Sequence, residues 1–340
     1  MIRLAKLNKL YVRLKQYIKE NLGFLLILVG MIVLFTVKLP YVIYTPGGTI
    51  DLSSRVIVED AYEGEGSFSM SYVTMIKGAI PYLLLAKVLP NWDIEKNELL
   101  LNENETLNDL IEREKISLLE ATNNAAINAY KLAGKHLEIT KSINNIVYIA
   151  PSATTNLKIG DILISANGIE VNSLEEYKSI VESGKVGDIV DLTILRNKKE
   201  KACTIKIYDT EEGLKTGIAL VTTYEYETDP KLSIKSKNSE SGPSGGLMLA
   251  LGIYNALVEE DITKGYKIVG TGTIESDGSV GAIGGVKYKL IGAVRNKADI
   301  FICPKDNYEE ALKIKKAKNY KITIISASTF EDTVNELGKL

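Results

Sequence analysis

Residues 21–37 (Asn-Leu-Gly-Phe-Leu-Leu-Ile-Leu-Val-Gly-Met-Ile-Val-Leu-Phe-Thr-Val) carry no charge, and the apolar tone continues past Lys38 through Leu39-Pro40-Tyr41-Val42-Ile43-Tyr44. That run approaches the roughly 20 residues an α-helix needs to cross a hydrocarbon core about 30 Å thick. A single spanning helix is therefore predicted over 21–44, with Lys38 snorkelling, Tyr41 and Tyr44 at the interface, and Thr45-Pro46-Gly47-Gly48 breaking it. A cleaved signal peptide is the alternative, but between Ala5 and Ala61 no alanine offers a small-residue cleavage site.

Beyond the apolar run the periodicities change. Residues 45–138 begin with strand-like stretches at 55–59 and 67–74. A helical pattern then covers 106–132, its apolar positions including Leu107, Leu110, Ile111, Leu118, Ala121, Ala125 and Ala129. This reads as a packing helix for an α/β segment. Residues 139–210 form a β-rich unit: strands at 147–150 and 162–166, an Asn167-Gly168 hairpin turn, and an alternating pair at 190–195 and 203–207. Between them Ser173 and Glu176 have capping-box spacing at the start of a short helix. Residues 211–340 end the chain with an apolar helix at 247–257, two short strands around the Asp277-Gly278 turn, and a helix with the buried stripe Val286, Leu290 and Ala293. The fold class is α+β and multidomain, as 340 residues allow.

Charge adds a topology. The balance of 41 basic and 43 acidic residues gives no footprint for nucleic acid. Only residues 1–20 are lopsided, with Arg3, Lys6, Lys9, Arg13, Lys15 and Lys19 against Glu20. A basic tail before a spanning helix stays in the cytoplasm, which places everything after residue 45 outside, in a single-pass cell-membrane arrangement. Cys203 and Cys303 each sit in an apolar strand-like run and read as buried free thiols. His136 is the only histidine and reads as solvated, so a zinc site or a histidine-based dyad lacks ligands, and no metal or cofactor is expected.

The chemistry concentrates near the end. Ser241-Gly242-Pro243-Ser244-Gly245-Gly246 leads into the apolar helix, placing Ser244 at or beside a helix N-terminus, where unpaired N–H groups suit an oxyanion. A serine nucleophile needs a base, and lysine can serve when burial lowers its pKa toward 7 or 8. Lys287 and Lys289 flank the apolar stripe on different sides, and periodicity does not choose between them.

Two elements in order, Gly-Pro-Ser at 242–244 and Thr271-Gly272 through Gly284-Gly285-Val286-Lys287-Tyr288-Lys289, resemble the proteolytic domain of Lon proteases. The run Leu157-Lys158-Ile159-Gly160-Asp161-Ile162-Leu163-Ile164-Ser165-Ala166-Asn167-Gly168 resembles a PDZ domain, and the whole order resembles bacterial membrane-anchored, PDZ-bearing Lon-like peptidases. The resemblance implies a serine endopeptidase in which Ser244 is the nucleophile and Lys289, 45 residues on, its base. It also implies that Thr271 hydrogen-bonds the lysine, that Gly242, Pro243 and Gly245 shape the nucleophile loop, and that the chain assembles as a homo-oligomer. This sequence departs from many Lon enzymes at Ser241, where they carry an acid, and at Gly245, where alanine is frequent. In the PDZ-like unit, 149–153 is not the usual glycine-rich carboxylate loop. No G-x-x-x-x-G-K-[ST] occurs, so the expected substrates are peptides or loosely folded proteins cleaved without ATP. The competing reading is a non-enzymatic surface adaptor that binds peptides through the PDZ-like unit.

Overall fold

The computed structural model describes residues 2–340, so Met1 of the expected 1–20 tail lies outside the described residues. From the N-terminus run α1 (Ile2–Glu20), α2 (Leu22–Thr36), β1 (Lys38–Asp51), β2 (Val56–Val58), β3 (Ser67–Ala79), α3 (Ile80–Ala86), β4 (Asp93–Lys96) and α4 (Leu107–Leu132). The middle holds β5 (His136–Ile149), β6 (Ile162–Ala166), β7 (Ile169–Glu170), α5 (Leu174–Glu182), β8 (Ile189–Arg196), β9 (Lys199–Lys206), β10 (Tyr208–Thr210), β11 (Gly213–Lys215) and β12 (Ile218–Asp229). The last third holds β13 (Leu232–Ile234), α6 (Gly246–Leu257), β14 (Lys267–Gly270), α7 (Val286–Arg295), β15 (Ile300–Pro304), α8 (Lys305–Ala317), β16 (Thr323–Ala327) and α9 (Phe330–Leu337). Two compact units result, Met1–Thr45 with Thr74–Leu99, and Pro46–Val73 with Leu100–Leu340.

The first unit corrects the expected helix over 21–44. Helix α2 stops at Thr36, and residues 38–44 are the start of strand β1. The reason is local: Pro40 lacks an N–H and pushes Leu39 out of the helical region, and Tyr41-Val42-Ile43-Tyr44 is β-branched and aromatic. These four residues pair antiparallel with β4, from Tyr41 opposite Lys96 to Tyr44 opposite Asp93. At 15 residues α2 is about 22 Å long. Among the described residues no single helix is long and apolar enough to cross a membrane, but Leu10–Glu20 and Leu22–Thr36 qualify together as a pair bent by 78°. None of the residues of α2 is buried.

In the second unit, β16, β15, β14 and β3 pair in that order, and every register between them is parallel. Parallel strands are covered on both faces, and these alternate accordingly. Ile268, Ile300 and Ile302 face a core shared with α4, α6 and α9, whereas Val269, Phe301 and Cys303 face one shared with α7 and α8. Residues 46–48 do not break a helix but extend β1. Gly47 is required there because a Cβ would collide with the Tyr72 carbonyl, and Gly292 of α7 packs on the carbonyls of Gly47 and Gly48. The predicted hairpin around Asp277-Gly278 also needs correction. The turn forms, with Gly278 N–H donating to Glu275 O at 3.0 Å and Glu275 N–H to Ser279 O at 3.0 Å, but no regular strand follows it. Strand β14 ends at Gly270 with parallel partners on both sides, and Ser279 and Val280 also bond to Thr329 and Ser328.

The β-rich middle has its own core, built on Ile146, Leu163, Tyr177, Leu192, Ile194 and Ile205. Its strands run β12-β5-β6-β8-β9, so the sheet takes an edge strand from beyond residue 210. The Asn167-Gly168 turn has φ of 50° and 76°, as a tight hairpin demands. Cys203 and Cys303 are buried and free, and His136 is exposed.

Candidate active site

Helix α4 supplies the floor. Thr106 caps it reciprocally with Asp109, and its buried face carries Ala121, Ala125, Ala126 and Ala129. Three buried asparagines interrupt that face. Asn123 makes a two-way bond with the edge strand β12, accepting from Tyr224 N–H at 2.8 Å and donating to Tyr224 O at 3.1 Å. Asn124 donates to Ile274 O at 3.1 Å and Asn128 to Glu275 O at 3.0 Å. One helix thus grips both the sheet of the β-rich unit and the segment after β14.

The Gly-Pro-Ser turn is held against the same helix. Gly242 N–H donates to Glu114 O at 2.8 Å, and Gly242 has φ of 89°, a left-handed conformation that disfavours any side chain. Pro243 O accepts from Gly246 N–H at 3.0 Å, closing the turn that starts α6. Ser244 is half-buried immediately before the cap Gly245. Its carbonyl accepts from Gly272 N–H at 2.8 Å and from Thr271 Oγ1 at 2.9 Å, and Leu247 N–H bonds Gly272 O at 3.1 Å. Among the described residues, the N–H groups of Ser244 and Gly245 have no hydrogen-bond acceptor. Two donors at a helix start, beside a serine hydroxyl, are the arrangement an oxyanion requires.

The structure separates the two lysines that periodicity could not. Lys289 is 3 % exposed, in the first turn of α7. Lys287 is half-buried, with Nζ 5.3 Å from the Tyr288 ring centroid. Gly285, the cap of α7, takes φ of 73°, and a Cβ there would press on Val73. Lys289 Nζ donates to Thr271 Oγ1 at 3.0 Å. Burial lowers its pKa from 10.5 to about 7, and the positive end of α7 acts in the same direction.

Thr271 therefore sits between the other two. It lies fully buried at the end of β14, fixed by its N–H to Ile302 O at 3.0 Å. Its hydroxyl has one hydrogen, and that goes to Ser244 O, so toward Lys289 it can only accept. The lysine spends an N–H on threonine and keeps its lone pair for another group. No hydrogen bond joins Lys289 Nζ to Ser244 Oγ among the described residues, and such contacts often tighten only once substrate is bound.

Ser244, Lys289, Thr271, Gly242, Pro243 and Gly245 are thus gathered at one place. Sequence reasoning missed Glu114 and the three asparagines. Asparagine is a poor helix former, and three within six positions of an alanine-rich face were the available signal. Glu114 gave none. Its carboxylate lies half-buried beside Gly242, and burial raises its pKa.

Residues 125–207 match the PDZ domain family and residues 235–338 match the Lon protease (S16) C-terminal proteolytic domain. The Lon protease of Aster yellows witches'-broom phytoplasma is 28% identical over 182 residues, 52% of this chain and 21% of that one. The Lon protease of Clostridium acetobutylicum is 36% identical over 97 residues, 28% and 12% of the two chains. The peroxisomal Lon protease homolog 2 of Caenorhabditis briggsae is 27% identical over 211 residues, 61% and 25%. The chain thus spans about a quarter or less of the length of these relatives. Among solved structures, the PDZ domain of an SdrC-like protein from Listeria monocytogenes aligns at 23% identity and TM-score 0.23, covering 25% of this chain and 93% of that one. Residues 235–338 thus carry the likeness to the Lon proteolytic domain, and the β-rich unit before them carries the likeness to a PDZ domain.

Proposed function

We propose that this chain is a membrane-anchored serine endopeptidase that cleaves extended peptides or loosely folded proteins outside the cytoplasm, without ATP, using Ser244 as nucleophile and Lys289 as general base. The observation that carries this is a buried lysine of pKa about 7 joined through Thr271 to the backbone of a serine at a helix start. At neutral pH about half of such a lysine is free base, against roughly one part in 2,500 of an ordinary one. Neutral Lys289 takes the Ser244 proton as Oγ bonds to the scissile carbonyl carbon. The N–H groups of Ser244 and Gly245 receive the oxyanion. Lys289 then passes its proton to the leaving amine as the C–N bond breaks. In the second half a water, deprotonated by Lys289, hydrolyses the acyl ester and frees Ser244.

The apolar, wholly unburied α2 behind the basic α1 supports the anchor, with the N-terminus cytoplasmic. Assembly of several copies belongs to the same reading. Full-length protein and Ser244→Ala, compared on unstructured peptides with and without ATP, test it. Cleavage by the former alone, unchanged by nucleotide, is expected. Equal cleavage by both, or by neither, would favour the adaptor, and stimulation by ATP would contradict the energy independence.

A further inference from the structure

Helix α3 turns large apolar side chains outward. Its one buried residue is Ala86, while Leu84 is 59% exposed, Leu85 46%, and Val88 and Leu89 just beyond it 82% and 39%. Four large apolar side chains in six positions form one outward face. Soluble surfaces scatter such residues singly, and a contiguous patch marks a contact. From Gly78 to Trp92 the only charged residue is Lys87, exposed at the end of the helix.

This face does not stand alone in its unit. Tyr82 of α3 meets Phe35 of α2 edge to face, with centroids 6.1 Å apart and planes at 81°. Phe35 lies in the last turn of the helix that has no buried residue. The outward leucines of α3 therefore continue the apolar surface of α2 at its outer end. Lys38, whose Nζ donates to Phe35 O at 2.8 Å, and Lys87, exposed just after α3, supply cations beside this surface. We propose that α3 and the turn after it are a second membrane contact, dipping into the outer leaflet beside α2 with Lys38 and Lys87 among anionic headgroups. This rests on the anchor reading of α2. A second copy of the chain fits the patch less well, because a two-fold contact would bring the rim lysines of both copies to one seam, whereas anionic headgroups pair with them. An apolar face rimmed by lysines matches the boundary between acyl chains and headgroups. The consequence is a membrane unit with two points of attachment rather than one.

Full-length protein in vesicles of equal parts phosphatidylcholine and phosphatidylglycerol provides the test. Single variants Leu85→Cys, Val88→Cys, Val29→Cys in α2 and Ile169→Cys in the exposed PDZ hairpin carry an environment-sensitive fluorophore. All four positions are exposed, so labelling does not disturb a core, and Cys203 and Cys303 are buried from the reagent. Lipids with a quencher high on the acyl chain should dim the labels at 29, 85 and 88 by roughly half or more and leave 169 unchanged. Quenching at 29, with 85 and 88 behaving like 169, would overturn the second contact while sparing the anchor. No quenching at 29, 85 or 88 would overturn both. Efficient Val88→Cys cross-linking between copies, with labels at 85 and 88 unquenched, would give the face to a second copy instead.

Discussion

Two apolar helices of similar length meet opposite fates in this chain. In α6, eight of twelve residues are buried, among them Leu247, Met248, Leu251 and Ile253. In α2, fifteen residues are as apolar and none is buried. Apolarity states only that a helix will leave water; what it leaves water for depends on the partners the rest of the chain offers. Strands β14, β15 and β16 and helix α4 close around α6 and so fix a serine at its start, whereas α2 offers its surface outward.

The largest test of that contrast places one charge in each helix. Leu251→Lys buries an unpaired cation at a position of 0 % exposure and should cost more than about 4 kcal/mol, enough to leave no cooperative thermal transition. Val29→Lys should leave melting of the catalytic unit unchanged and reduce the membrane-bound fraction, as a lysine at a helix centre costs about 3 kcal/mol of insertion. Unaltered membrane association of Val29→Lys would break the comparison.

Next comes the lysine that α7 carries inward. Lys289→Ala should lower kcat/KM by at least roughly a thousandfold, while Lys287→Ala retains most activity. The reverse result would reassign the base. Thr271→Val removes a hydroxyl bonded to both partners and should cost about 1.5–3 kcal/mol in kcat, a factor of roughly 10 to 150, with the fold intact. An unchanged rate would deprive Thr271 of its orienting role.

The smallest effects follow pH. Activity should climb about tenfold per unit below an apparent pKa near 7 and then level off, because only neutral Lys289 accepts the serine proton. Stability has the same sign. Folding lowers the lysine pKa from 10.5 to about 7, so the unfolded chain binds more protons between those values and stability rises with pH across that window. Lys289→Met should therefore raise the melting temperature, by more at pH 6 than at pH 9.5. An equal gain at both would mean that the buried charge is not what strains the site.

Much of this was legible in the residues. The period-3.6 pattern of 106–132, the Asn167-Gly168 turn and the apolar run after Gly245 are local signals, and local structure follows them. What stayed hidden was set by distant partners. Residues 38–44 looked like membrane helix until β4 paired with them, and the residues after Asp277-Gly278 bond to the distant Ser328 and Thr329 as well as back across the turn. Lys287 and Lys289 were equivalent on a helical wheel. Burial and the bond to Thr271, both set by the packing of α7, distinguish them.

The neighbouring asparagines of α4 have a mechanical meaning. Asn123 is bolted to Tyr224 in the edge strand of the PDZ sheet, and Asn124 to Ile274, three residues from Thr271. Helix α4 is a bar of 26 residues, about 39 Å long, too stiff to absorb a twist between adjacent clamps. Two adjacent side-chain amides thus tie the edge strand of the β-rich sheet and the segment that follows Thr271 to one helix turn.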